Sequence, residues 1–113
     1  MLKHPAIKYL LPKKMEGVIE AAHFTKSGKL AWVRAYERRG PTWSDIVLLD
    51  RDKLVERLKN KKRFYTGTRQ ELNASEFELG EKVTLLEREN ETLVVTEDNT
   101  DAKNDNLTGV GVV

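Results

Sequence analysis

Aromatic and basic residues alternate in two stretches of this chain, Trp32, Arg34, Tyr36 and Arg38 in one and Arg63, Tyr65 and Arg69 in the other. The intervening segment Arg38-Arg39-Gly40-Pro41-Thr42-Trp43 adds another arginine and a tryptophan. Flat rings stack on nucleobases, at roughly 1 to 3 kcal/mol per base, and cations follow the phosphate backbone. These two residue types on one strand face therefore supply what a single-stranded nucleic acid needs. From Arg51 to Arg69 eight basic side chains, Arg51, Lys53, Arg57, Lys59, Lys61, Lys62, Arg63 and Arg69, face only Asp52 and Glu56, with Glu71 just outside. This is the densest positive stretch of the chain. The expected nucleic-acid contacts are Arg34, Arg38, Arg39, Trp43, Lys61, Lys62, Arg63, Tyr65 and Arg69. The competing reading makes Trp32 and Tyr36 core residues and the lysines a solvated helix face, with charged residues serving solubility.

Other chemistry finds little footing. Without cysteine there is no disulfide, thiolate metal site or cysteine nucleophile. His4 and His23 are far apart in sequence, and a lone sheet histidine is more often a packing residue than a ligand. The segment from Asp98 to Asp105 lacks the central glycine and closing glutamate of a calcium loop. Ser27-Gly28-Lys29 lacks the glycine spacing that cradles phosphate, and no serine sits in a Gly-x-Ser-x-Gly elbow. Glu16 with Glu20, and Asp50 with Asp52, have simpler uses in ion pairing and helix capping. The expectation is a non-enzymatic module with no metal and no cofactor.

The elements that must position these residues read as follows. Residues 17 to 24 and 30 to 39 are rich in strand formers and flank Lys26-Ser27-Gly28, a three-residue hairpin loop with glycine in the left-handed position. A regular register from that loop opposes Phe24 to Leu30, Ala22 to Trp32, Glu20 to Arg34, Val18 to Tyr36 and Glu16 to Arg38, which pairs opposite charges twice. The apolar run Ile46 to Leu49 reads as a central strand buried on both faces. Asp50 is placed to cap a helix near 51–60, with Leu54, Val55 and Leu58 on its inner side and Asn60 as its stop. Strands follow at 63 to 69, 77 to 79, 83 to 87 and 93 to 96, with a bulge or turn at Gly80. The predicted fold class is mainly β, a β-barrel with one helix. Its order of three strands, a helix and two or three strands is that of the OB-like (oligonucleotide/oligosaccharide-binding) five- to six-stranded barrel, with an SH3-like barrel as the alternative.

With 113 residues, 39% of them hydrophobic and 34% charged, the chain has room for one core. Its net charge of +2 hides an asymmetry, because residues 97 to 113 carry Glu97, Asp98, Asp101 and Asp105 against Lys103 alone. The expected organisation is an N-terminal arm at 1–14, a barrel domain at 15–96 and an acidic disordered tail at 97–113. The tail ends in an apolar tip, Leu107, Val110, Val112 and Val113, available to a protein partner or to self-association. An acidic tail of this kind is also expected to compete for the basic groove. The chain has no run of about 18 apolar residues and no leader pattern, so no membrane contact and a cytoplasmic setting are expected.

Overall fold

The computed structural model describes residues 15 to 70 and 73 to 113. The expected arm at 1–14, with His4, lies outside them. The elements are β1 (Gly17–Phe24), β2 (Leu30–Arg39), β3 (Thr42–Trp43), β4 (Val47–Asp50), α1 (Arg51–Lys59), β5 (Phe64–Gln70), β6 (Asn73–Glu87), β7 (Thr92–Thr96) and β8 (Gly111–Val112). The protein is mainly β with one helix, and its sheet, in the order β3-β2-β1-β5-β6-β7, curls into a half-barrel. β4 pairs with β2 and β8 with β1.

β1 is the strand buried on both faces. Val18, Ile19 and Ala22 are fully enclosed, Ile19 and Ala22 in the main core and Val18 in a second cluster with Met15, Phe77 and Leu79. Gly17 permits this, since a Cβ there would lie 2.2 Å from the ring of Phe64. Among the described residues, the central strand expected at Ile46 to Leu49 is instead an edge: β4 pairs only with β2, and only Leu49 of its apolar residues is buried. A continuous apolar run does not distinguish a central strand from an edge strand with an uncovered side.

The hairpin forms at the expected loop, with Gly28 at φ 89° and Thr25 N–H donating to Lys29 O at 2.7 Å. Phe24 opposes Leu30 and Val18 opposes Tyr36, as a regular register requires. Between them the register slips by one residue and slips back, so that His23 opposes Trp32, Ala22 opposes Val33 and Ala21 opposes Arg34. One extra residue on each strand, Ala31 and then Glu20, produces these two compensating bulges. The expected Glu20–Arg34 pair is therefore not made; the Tyr36 hydroxyl donates to Glu20 at 3.3 Å.

β4 runs parallel to β5, and parallel strands need a crossover. α1 supplies it. Asp50 caps the helix by accepting from Lys53 N–H at 2.8 Å, Leu54 is buried in the main core, and Val55 and Leu58 pack against it. The helix stops at Asn60, after which Lys61 takes φ 65°. The strands expected at 77 to 79 and 83 to 87 are one long strand, β6, bulged at Gly80. The Thr66 hydroxyl fills the bulge, accepting from Glu81 N–H at 2.9 Å, and a Cβ on Gly80 would lie 2.5 Å from it.

Residues 97 to 113, expected to be disordered, fold back onto the body. Asn106 bridges to Val95 along the outer edge of β7, and Leu107 enters the main core. The Asp105 side chain, 0% exposed, accepts from Leu30 N–H of β2 at 2.7 Å, from Val94 N–H of β7 at 2.8 Å, and from Arg51 Nε at 2.7 Å. Arg51 also donates to Thr92 O at 2.6 Å. One carboxylate thus joins β2, β7 and the start of the helix. Burial opposes its ionisation, but the Arg51 guanidinium and the two backbone donors together hold its pKa below the usual aspartate range. Composition misses this because two inward-facing residues, Asp105 and Leu107, suffice to order an otherwise polar segment.

Candidate nucleic-acid interface

The residues expected to bind nucleic acid fall into two groups. Trp32, Arg34, Tyr36 and Arg38 project from the side of β2 opposite the core residues Val33 and Ala35. There the rings and arginines are already paired. Trp32 stacks on His23 at 5.1 Å, with the Arg34 guanidinium 5.9 Å from its ring. Trp43 meets Phe77 edge-on at 4.7 Å, with Arg38 5.7 Å from the indole. Arg69 lies 4.4 Å from the centre of the Tyr36 ring and 5.4 Å from that of Phe77. Tyr65 is half-buried against the same cluster, and Arg39 is exposed at the β2–β3 turn. Burial, reinforced by the neighbouring Glu20 carboxylate, raises the Tyr36 pKa.

Trp32, Tyr36 and Trp43 thus each have a ring or guanidinium neighbour while remaining partly exposed. The expected sheet face is therefore a packed arginine–aromatic layer. Phe77 is its hidden member, invisible in the sequence because Arg69 reaches it only across the β5–β6 pairing and Trp43 only where β3 meets β6.

The second group is different. Just past α1, Lys61, Lys62 and Arg63 line an open cleft of about 360 Å³ together with Lys82 of β6, over an apolar floor of Leu58, Val83 and Leu85. Arg63 is tied to the body, its N–H donating to the Glu16 carboxylate. Among the described residues no carboxylate pairs with Lys61, Lys62 or Lys82. Sequence reading misses Lys82 because it stands alone between Glu81 and Val83. Only the fold brings its position to the lining of the cleft.

Lys61 has a second distinguishing feature. It occupies the left-handed position that closes the helix, its N–H donating to Leu58 O at 3.0 Å while Lys62 N–H donates to Arg57 O at 3.0 Å. Glycine or asparagine suits that position better, and a long side chain there costs about 1 kcal/mol. Cations near a helix C-terminus gain from its dipole, but each gains only about 0.3 to 1 kcal/mol, and the effect fades within one turn. Capping alone does not account for Lys82 of β6 lining the same cleft.

Of the tip residues, Leu107 is buried and Val110 packs partly against the core, whereas Val112 and Val113 are 73% and 47% exposed. Asp105, one of the four acids of the tail expected to compete for the basic groove, is engaged by Arg51. Among the described residues no group of three or more histidines or acids is arranged to hold a metal ion, and no helix is long and apolar enough to cross a membrane. Comparison with family models, with curated proteins and with solved structures finds no match to this chain.

Proposed function

We propose that this protein is a small non-enzymatic module that binds single-stranded nucleic acid with low sequence specificity, gripping phosphates in the cleft of Lys61, Lys62, Arg63 and Lys82. The observation that carries the reading is that Lys61, Lys62 and Arg63, just past α1, and Lys82 of β6 all line one open cleft. Its apolar floor accepts a base or sugar, while phosphates lie against the lysines. Low specificity follows from contact through charge, because phosphates carry no sequence information. Arg34, Arg38, Arg39 and Arg69 contribute a positive flank, with Trp43 and Tyr65 as the aromatic residues among them. The likeness to the OB-like barrel belongs to this reading as analogy, on element order alone.

The test is fluorescence anisotropy of labelled single-stranded DNA and RNA at about 50 and 200 mM salt. Four phosphate contacts on a single strand give a salt slope near −2.8, a loss of about 50-fold in affinity across that range. Absence of binding at the lower salt, or binding indifferent to salt, overturns the reading.

A further inference from the structure

The far edge of β1 is shared between two partners. β5 pairs with Gly17, Val18 and Ile19, and beyond them β8 takes over in parallel, with Gly111 beside Ala21 and Val112 beside Ala22. Ala21 and Ala22 are buried, so their outward backbone groups need a strand to satisfy them. β8 meets that need almost wholly through its backbone. Val113 N–H donates to Ala22 O at 2.9 Å, and His23 Nδ1–H donates to Val113 O at 2.6 Å. The side chains of Val112 and Val113 remain exposed.

The preceding residues are held firmly. Leu107 is in the core, and the Thr108 hydroxyl accepts from Asn99 Nδ2 at 2.8 Å. Gly109, at φ 86° with nothing within 4 Å of where a Cβ would stand, is the pivot between the anchored part and the strand. Residues 109 to 113, fully extended, reach about 16 Å.

We infer that the edge of β1 at Ala21–His23 is a strand-acceptor slot that residues 109 to 113 of a second copy enter in place of the chain's own. The occupant is argued from the slot itself: the same segment of another copy makes the same backbone bonds, so exchange forfeits none of them. Closely apposed copies also cover Val112 and Val113, which the single chain leaves in water. The slot is remote in sequence from the lysine cleft and independent of the nucleic-acid reading.

The test uses the full chain and a fluorophore-labelled peptide, Thr-Gly-Val-Gly-Val-Val, read by anisotropy. Val113→Pro removes the donor to Ala22 O and loosens the resident strand without touching the core. The variant is expected to bind the peptide about fivefold more tightly than the native chain, because one backbone bond no longer competes. Equal binding by the two chains, or none, overturns the slot. A second variant tests the partner: deleting Gly109 shortens the pivot so that the resident strand no longer reaches its own slot, and the chain is expected to sediment as a dimer at about 10 μM. A monomer at that concentration overturns exchange between copies, whatever the peptide does.

Discussion

The two ends of α1 treat charge in opposite ways. At its start, Asp50 caps Lys53, and Arg51 is engaged by the buried Asp105 and by Thr92 O. At its end, Lys61 and Lys62 stand with Arg63 and Lys82 around an open cleft, and Lys61 holds a backbone conformation that suits glycine better. The nine-residue helix puts these arrangements about 13 Å apart. Both are rich in cations, and the sequence reads them as one positive stretch. Placement separates them: a cation enclosed with its counter-ion holds the fold together, whereas Lys61, Lys62 and Lys82, which pair with no carboxylate among the described residues, are available to a ligand.

The larger effect is expected at the start of the helix. Asp105→Asn keeps the shape but removes the charge that Arg51 faces and alters the donor pattern toward Leu30 and Val94. The expected loss is roughly 3 kcal/mol in urea unfolding, the lower part of the range for breaking a buried pair by removing one partner. A loss below about 0.5 kcal/mol, the scale of a surface substitution, would show that the tail is not anchored there. The acid limb provides a companion measurement. Because the Asp105 pKa is lowered on folding, its contribution to stability is fully present above the unfolded value near 3.9 and disappears as pH falls through the folded value. Native stability is therefore expected to fall more steeply below about pH 4 than that of Asp105→Asn. Parallel acid limbs would remove Asp105 from the explanation.

At the other end of the helix, Lys82→Glu replaces an attraction with a repulsion in the cleft. About a tenfold loss of single-strand affinity is expected, together with a shallower salt slope, while urea stability stays within about 0.5 kcal/mol of native. Arg34→Ala serves as the contrasting substitution, because Arg34 lies beside the Trp32 ring and away from the cleft lining. Its expected effect on affinity is under about threefold, since removing one rim charge changes long-range attraction more than contact. If Arg34→Ala weakens binding more than Lys82→Glu does, the arginine–aromatic layer becomes the interface in place of the cleft.

What was legible in the sequence is what local chemistry determines. Gly28 at its loop, Asp50 at its cap, Asn60 at its stop and Gly80 at its bulge each follow from a conformational or hydrogen-bonding preference of one residue, and the mainly β class follows from the strand patterns between them. The misreadings all required long-range information. β1 is central because β5 lies on its far side, and among the described residues β4 is an edge because only β2 pairs with it; neither fact can be read from residues 17 to 24 or 46 to 49. The Glu20–Arg34 pairing failed because two bulges cancel, leaving the ends of the hairpin in register and its middle shifted. Alternating arginines and aromatics look the same whether the rings face solvent or one another. Lys61, Lys62 and Arg63 were visible as a run, but Lys82 joins them only in the folded chain.

Lys61 sharpens the comparison at its smallest scale because its two roles pull in opposite directions. If the side chain served only to close the helix, glycine at this position would improve it, relieving the left-handed strain without losing a needed contact. Lys61→Gly is accordingly expected to raise urea stability by up to about 0.7 kcal/mol, the cost of a non-glycine residue at such a position less the lost dipole interaction. The same substitution is expected to weaken single-strand binding about threefold to fivefold and to reduce the salt slope by about 0.7, because one of the four cleft cations is gone. A more stable chain with unchanged affinity would make Lys61 an indifferent cap and narrow the site to Lys62, Arg63 and Lys82. A less stable chain would place a compensating contact of the lysine stem on the helix end and remove the argument from strain.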